Sequence, residues 1–345
     1  MRVFLTGATG FIGYNLCLEL LARGCEVRAL ARPQSARLLA GLPVEVVPGD
    51  LFDAAALGYG CRGAEWVFHL AADYRLWAPD PACLYDTNVR GARLVLEAAQ
   101  RANASRIIHC SSVGAIKVTP SGEAADEATP TRLEDLVGHY KRSKFLGERE
   151  AMKLARAGAP VVVVCPSTPI GPHDFKPTPT GQIIVDFLRG KMFAYLESGL
   201  NIVHVRDVAQ GMILAAERGC VGQRYILGNR NMTLLEVFRE LSALSGVACP
   251  RVRIPYGAAL TLGFACQALS RLTGRAPLVP LEGVRMARNF MYFSAAKAVR
   301  ELVLPQTPPE VAIREAAEWF CAHGYVKRQT KLAGMNTAAR LPKGE

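Results

Sequence analysis

Hydrophobic residues in the first half of the chain alternate between two spacings. Short runs of consecutive apolar residues, such as 161–164, are typical of strands buried on both faces of a parallel sheet. Segments with apolar residues at every third or fourth position, such as 11–23, are typical of helices packed against it. The predicted strands are 2–5, 26–31, 44–47, 66–70, 106–110 and 161–165, and the predicted helices are 11–23, 89–101 and 139–157. This order predicts an α/β fold with a doubly wound parallel sheet.

The regular alternation ends near residue 166, where prolines and glycines recur through 166–181. Helical spacing then returns in separate segments, and two short runs are candidates to rejoin the sheet. Those helices are 181–190, 207–218, 233–245, 256–272 and 309–322, and the two runs are 204–207 and 224–228. We predict a sheet domain over 1–170 with returning segments near 202–228. A smaller, mostly helical substrate-binding domain follows over 171–325, and 326–345 are expected to form a flexible basic tail.

A glycine-rich turn joins the first predicted strand to the first predicted helix. Gly7 permits a tight turn, Gly10 lets the backbone approach a pyrophosphate, and Gly13 allows close packing of helix on strand. The free N–H groups and positive dipole of the helix N-terminus favour an anion there. The segment 6–13 therefore predicts a dinucleotide site in a Rossmann-type domain.

The end of the second strand indicates which dinucleotide binds. NAD sites usually place a carboxylate there to accept from the ribose 2′-hydroxyl, but this strand ends in Ala31 followed by Arg32. Glu26 lies too early in the strand, whereas a guanidinium suits a 2′-phosphate, with Arg37 as a possible helper. The sequence favours NADP(H), with NAD(H) as the alternative.

A second group of residues has the chemistry for proton transfer. Tyr140 and Lys144 are four positions apart on a predicted helix and share a face. The ammonium is expected to lower the pKa of the phenol toward working pH and to make Tyr140 a general acid/base. Ser112 follows the strand 106–110 and is the candidate to hold the substrate oxygen, with Ser111 in reserve.

Composition excludes several other classes of protein. The chain has 345 residues, of which 50% are hydrophobic, and a formal net charge of +11. No basic run contains interleaved aromatic residues, which argues against nucleic acid. The ten cysteines include no C-x-x-C pair and no zinc-like spacing, so we expect no metal and reduced core thiols. Without an apparent leader or spanning segment, a cytoplasmic location is expected.

The glycine turn, the strand-end serines and the Tyr140/Lys144 pair occur in an order that resembles the extended branch of the short-chain dehydrogenase/reductase superfamily. This resemblance, which covers about residues 1–322, implies that Lys144 also binds the nicotinamide ribose and that Asn88 braces the site. The dinucleotide-binding residues implied by the turn and the resemblance together are Thr6, Gly7, Thr9, Gly10, Phe11, Ile12, Gly13, Arg32, Asp50, Leu51, Ala71, Ala72, Tyr140, Lys144, Pro166 and Thr168.

Four longer motifs resemble the proteins called hopanoid-associated sugar epimerases. They are 71–77, 138–144, 166–172 and 176–181. These proteins are similar to dihydroflavonol reductases and to 3β-hydroxysteroid dehydrogenase-type enzymes. Nucleotide-sugar epimerases of this branch commonly carry an asparagine after the sixth strand, whereas this chain has Cys-Pro-Ser-Thr at 165–168. That departure counts against a nucleotide-sugar substrate.

Aromatic and apolar residues supply candidate walls for a substrate pocket, and core packing is an equally weighted interpretation of each one. With Ser112, the candidates are Tyr74, Trp77, Phe175, Met192 and Tyr195. Such walls favour a small lipid-like substrate, for example a sterol or triterpenoid 3-hydroxyl or 3-ketone, or a 4-carboxysterol that decarboxylates after oxidation. The alternative function is a sugar epimerase that uses bound NAD.

The segment 257–272 is apolar nearly all round. Its length is below that of a membrane span, so a buried helix is the expected outcome. The alternatives are a dimerising surface or a face that touches the inner membrane. A homodimer is suggested only by analogy with relatives.

Overall fold

The computed structural model describes residues 1–119 and 122–326, without the side chain of Arg271. All but the first residue of the predicted basic tail therefore lies outside the described residues. The strands are, in chain order, β1 Arg2–Thr6, β2 Glu26–Ala31, β3 Val44–Pro48, β4 Trp66–His69, β5 Arg106–Cys110, β6 Val161–Pro166, β7 Thr168–Ile170, β8 Ala194–Tyr195, β9 Gly199–His204, β10 Arg224–Leu227, β11 Arg230–Thr233 and β12 Val252–Arg253. The helices are α1 Phe11–Ala22, α2 Pro33–Ala36, α3 Ala54–Cys61, α4 Ala82–Tyr85, α5 Ala92–Arg101, α6 His139–Arg156, α7 Pro179–Leu188, α8 Val205–Arg218, α9 Leu234–Ser245, α10 Tyr256–Thr273, α11 Leu281–Met286, α12 Ala296–Leu302 and α13 Pro309–Ala322.

The main sheet of the described chain has seven parallel strands in the order β10-β6-β5-β4-β1-β2-β3. Helices α1 and α8 pack on one face and α3, α5 and α6 on the other, as the alternation of elements predicted. The order in which the strands are added to the sheet reverses between β1 and β4, because β2 and β3 lie on one side of β1 and β4 lies on the other. Parallel sheets bind ligands beyond the carboxyl ends of their strands at such a point. The candidate site is therefore located at the ends of β1, β4 and β5.

Two hydrophobic cores lie behind the site. The larger core fills both faces of the main sheet, where the four consecutive valines of β6 are fully buried. The smaller core joins α7, α9 and α13 to the sheet β11-β9-β7, and Phe187 and Phe238 stack within it with ring centroids 5.4 Å apart.

Three sequence-based expectations for these elements were wrong in part. Residues 224–227 join the main sheet as β10, but His204 ends a strand of the smaller sheet and Val205 begins α8. The predicted helix 89–101 is divided, because a π-helical turn over Asp86–Gly91 precedes α5. The segment 257–272 is helical but not buried all round.

Candidate active site

The glycine turn between β1 and α1 is compact and lacks side chains over the helix N-terminus. Gly7 has a left-handed φ of +81°, and a Cβ there would lie 2.6 Å from the Ala71 nitrogen. A Cβ on Gly13 would lie 2.0 Å from the Gly7 carbonyl oxygen. Gly10 caps α1 without a side-chain hydrogen bond, so the first backbone N–H groups of the helix have no side-chain cap. These features fit a dinucleotide pyrophosphate.

Thr6, one of the predicted binding residues, fastens the floor of this turn. Its buried hydroxyl lies 2.8 Å from His69 Nδ1 and accepts a hydrogen bond from the Ala71 nitrogen at 3.3 Å. Its side chain therefore connects the end of β1, where the glycine turn begins, to the end of β4 and the loop after it.

A pair of buried histidines lies under the turn and was not singled out from the sequence. His69 and His109 occupy matching positions on β4 and β5, and their ring centroids are 5.4 Å apart. Burial lowers the pKa of both rings, that of His69 to about 3, so both are neutral at physiological pH. Pairing the predicted strands β4 and β5 by their carboxyl ends would have placed the two histidines side by side.

The end of β2 presents Arg32 to solvent. Arg32 caps the short helix α2, its side chain is exposed, and no carboxylate within the described ranges forms an ion pair with it. Beside it, the Gly49 nitrogen donates to the Ala31 carbonyl at 3.3 Å. Asp50 is exposed and Leu51 is buried against Gly91, so the predicted adenine-side residues lie along the same edge as Arg32.

The two strand-end serines have different partners. The Ser111 hydroxyl is buried and donates to Glu148 Oε2 at 2.6 Å. Ser112 lies on the open side, where its Oγ accepts from the Gly114 nitrogen at 3.0 Å. A Cβ on Gly114 would lie 3.3 Å from Ser112 Oγ and 3.7 Å from Tyr140 Cε1, so Ser112 and Tyr140 line the same small space. This placement favours Ser112 over Ser111 for holding a substrate oxygen.

The protonation chemistry of Tyr140 differs from the expectation. Burial raises the pKa of Tyr140 to about 12, and the neighbouring Ser112 only partly offsets that rise. The Lys144 ammonium donates to the Cys110 carbonyl oxygen at 2.7 Å, and burial lowers the pKa of Lys144 as well. The prediction that Lys144 lowers the pKa of the phenol is therefore wrong for this arrangement. Tyr140 is a neutral phenol, which can donate a proton.

Asn88 ties the loop after β4 to the helix that carries Tyr140. Its amide nitrogen donates to the Asp73 carbonyl at 2.8 Å and to Ser143 Oγ at 2.9 Å, while its amide oxygen accepts from the Asp73 nitrogen at 2.8 Å. Gly147 allows close contact, because a Cβ there would lie 2.1 Å from the Asn88 carbonyl oxygen. Helix α6 is thereby held against the site.

The remaining predicted dinucleotide residues lie around the same crevice. Ala71 and Ala72 follow β4 and are half-buried. Pro166 ends β6, and Thr168 starts β7 opposite Ile202. Thr9, Phe11 and Ile12 belong to the glycine turn and the start of α1.

A cavity of about 870 Å³ opens beside the Tyr140 helix. Its wall is mostly apolar and includes Trp77, as the sequence predicted, with Leu76, Phe264 and Leu281. His139, the residue before Tyr140, lies on its rim, and the His139 nitrogen donates to Glu282 at 3.3 Å. The walls contributed by α10 and α11 were not predicted, because only the fold brings these distant segments to the site.

The other predicted substrate residues do not line this cavity. Tyr74 is exposed on the loop that leads to Leu76 and Trp77 of the cavity wall. Phe175 packs between Tyr14 and Trp319, with ring centroids 4.9 and 5.3 Å away. Met192 and Tyr195 pack against the smaller core. Phe175, Met192 and Tyr195 therefore pack within the protein, as the core-packing interpretation of these residues expects.

The chain is similar to a protein family, to named relatives and to solved structures. A model described as the NAD dependent epimerase/dehydratase family matches residues 3–228. A Synechocystis protein with the provisional name dihydroflavonol 4-reductase is 45% identical over 94% of this chain and 96% of its own length. Sterol demethylase protein B of Methylococcus capsulatus is 33% identical over 94% of this chain and 100% of its own. The crystal structure of gox2253 superposes with a TM-score of 0.85 at 43% identity, covering 94% of this chain and 99% of that one.

Proposed function

The chain belongs to the NAD dependent epimerase/dehydratase family, an extended short-chain dehydrogenase/reductase family, and is thus an enzyme of the oxidoreductase or epimerase type. From this premise we propose that it interconverts a secondary alcohol and a ketone on a polycyclic lipid with NADP(H). The observation that carries the proposal is the large, mostly apolar cavity that reaches the residue beside Tyr140. Its volume and mostly apolar wall suit a rigid apolar ligand with one reactive oxygen.

The residues that would hold the dinucleotide are the glycine turn for the pyrophosphate and Arg32 for a 2′-phosphate. When bound, the dinucleotide supplies or accepts the hydride. The exposed guanidinium at the end of β2, which forms no ion pair with a carboxylate of the described residues, supports NADP(H) over NAD(H).

The protein's own residues manage the proton. In the reducing direction the neutral Tyr140 phenol gives its proton to the substrate oxygen, which becomes the hydroxyl of the product. Ser112, next to Tyr140, orients that oxygen by a hydrogen bond. Lys144 lies one helical turn away, where its ammonium is held by the Cys110 carbonyl and would bind the nicotinamide ribose. The oxidising direction reverses these transfers.

The name of the Methylococcus relative supports a sterol as the substrate class. Oxidation of the 3-hydroxyl of a 4-carboxysterol gives a β-keto acid. Such an acid loses carbon dioxide without another catalytic residue, so the same site accommodates a demethylation step. The family description equally includes epimerases, in which NAD stays bound through a double transfer and no net redox change occurs.

Replacement of Tyr140 by phenylalanine tests the mechanism. We expect Tyr140→Phe to lower kcat with a sterol or triterpenoid 3-ketone by at least about a hundredfold, because the general acid is lost. NADPH affinity, measured by fluorescence, should change little. Tyr59→Phe, at an exposed tyrosine on α3, is the matched control and should keep full activity. A Tyr140→Phe enzyme with unchanged kcat would remove Tyr140 from the mechanism.

A further inference from the structure

Helix α10 and the loop after it expose several large apolar side chains. Leu262 and Leu269 are 53% and 60% exposed, and Leu272 and Leu278 are 86% and 92% exposed. Proteins rarely leave such a contiguous set of leucines in water without a partner. The members of this set on α10, Leu262, Leu269 and Leu272, are called the leucine face below, together with the exposed Ala265.

The leucine face is a continuous side of α10. Its members at 262, 265, 269 and 272 follow a three-four-three spacing, which places them along one side of a helix. The opposite side is buried: a Cβ on Gly263 would lie 3.2 Å from Leu281, and the Ser270 hydroxyl is satisfied by the Arg275 carbonyl at 2.6 Å. Packing against the protein therefore accounts for one side of the helix and leaves the leucine face uncovered.

Basic residues precede and follow the leucine face along the chain. Residues 250–289 contain six arginines and a single acidic residue, Glu282, and no charged residue occurs between 254 and 270. Arg285 and Arg288 lie over the rings of Phe264 and Tyr256, on other sides of α10, and Arg253 pairs with Glu197. An uncharged apolar stretch of helix that basic residues precede and follow in the chain has the composition of a membrane-interface helix.

We propose that the leucine face docks on the surface of an anionic lipid bilayer, with its leucines at the boundary between headgroups and acyl chains. The exposed Arg251 and Arg275, which precede and follow α10, would contact the negatively charged headgroups, an attraction that grows with the fraction of anionic lipid. A second copy of the chain is a poorer occupant, because a two-fold contact through this face would bring like-charged arginine clusters together.

The docking surface adjoins the cavity. Phe264 and Ala268 of α10 line it, and Leu269, the next residue, belongs to the leucine face. If the substrate is a membrane lipid, which rests on the proposed function, docking would place the cavity close to the bilayer. Membrane binding itself can be measured without any substrate, so the two proposals fail separately.

Vesicle flotation of the full chain tests the proposal. We expect the wild-type protein to float with vesicles of phosphatidylcholine and phosphatidylglycerol and to bind phosphatidylcholine vesicles far less. The double variant Leu269→Glu, Leu272→Glu should lose at least about tenfold in binding, because two apolar side chains become charged. Val299→Glu, at an exposed apolar residue on α12, is the control and should bind as wild type does. NADPH titration of each variant verifies that the fold and the dinucleotide site persist.

Two results would overturn the proposal. One is equal flotation of the wild-type protein and the double variant. The other is a wild-type dimer in light scattering that the double variant dissociates, with no vesicle binding by either, which would assign the leucine face to a second copy.

Discussion

The roles of Arg32 and Lys141 can be tested without an activity assay, by nucleotide binding for Arg32 and by stability for Lys141. Arg32 is exposed at the end of β2, where a negatively charged 2′-phosphate would find a planar donor. Lys141 lies between the two residues that dominate the sequence motif, Tyr140 and Lys144, and is buried. Its burial was not visible from the motif, because that depends on how α6 packs against Gly114.

Arg32→Ala should raise the Kd for NADPH by about tenfold to a hundredfold, since charge-assisted hydrogen bonds to a phosphate would be lost. The Kd for NADH should change little. Fluorescence titration with both nucleotides measures the difference, and Arg93→Ala, at an exposed arginine of α5, is the control. Equal weakening for the two nucleotides would refute a 2′-phosphate contact.

Lys141 gives a prediction about stability and pH. Burial lowers its pKa to about 8, and no hydrogen bond or ion pair engages its ammonium within the described residues. Since the unfolded chain keeps the ordinary lysine pKa of 10.5, the unfolded state binds more protons between these two values. The contribution of Lys141 to stability therefore rises with pH across that interval, and it is destabilising below it.

Lys141→Met should accordingly raise the free energy of unfolding near neutral pH by on the order of 1–3 kcal/mol. That advantage should shrink near pH 10, where the folded wild-type protein holds a neutral lysine and most of the rise in its stability with pH has taken place. Urea unfolding of both proteins at the two pH values provides the comparison, with the exposed Lys153→Met as the control. A difference in unfolding free energy that is the same at both pH values would show that burial of the Lys141 ammonium does not cause it.

At the scale of elements, local patterns predicted most strands and helices, because consecutive apolar runs and helical periodicity are encoded within each segment. Interactions between distant segments were not predictable in this way. The leucine spacing of α10 fits a core helix as well as a surface helix, and only its neighbours leave the leucine face exposed. Likewise 204–207 has strand-like residues but begins α8, whose cap is the buried His204.

The same distinction applies to the site. The glycine turn and the Ser112, Tyr140 and Lys144 motif could be found from spacing alone. The pKa of Tyr140 could not, because it depends on the burial of the phenol and on its hydrogen bond with Ser112. The α10 and α11 walls of the cavity come from residues more than a hundred positions away from Tyr140.

On the scale of the whole molecule, the features of the site combine into one functional account. The chain carries an excess of positive charge, with 41 lysines and arginines against 30 acidic residues. Our proposal of exchangeable NADP(H) and net redox chemistry rests on an exposed arginine next to the dinucleotide crevice, a neutral phenol and a mostly apolar cavity. No helix in the described part of the chain has the length and hydropathy to cross a bilayer.

The most direct test of that account is the identity and exchange of the nucleotide that purifies with the protein. Release of bound nucleotide and its identification, followed by titration of the stripped protein with NADPH and NADH, require no knowledge of the substrate. The account predicts a site that prefers NADPH and exchanges it freely. NAD retained through purification and not displaced by NADPH would contradict it and would indicate an epimerase.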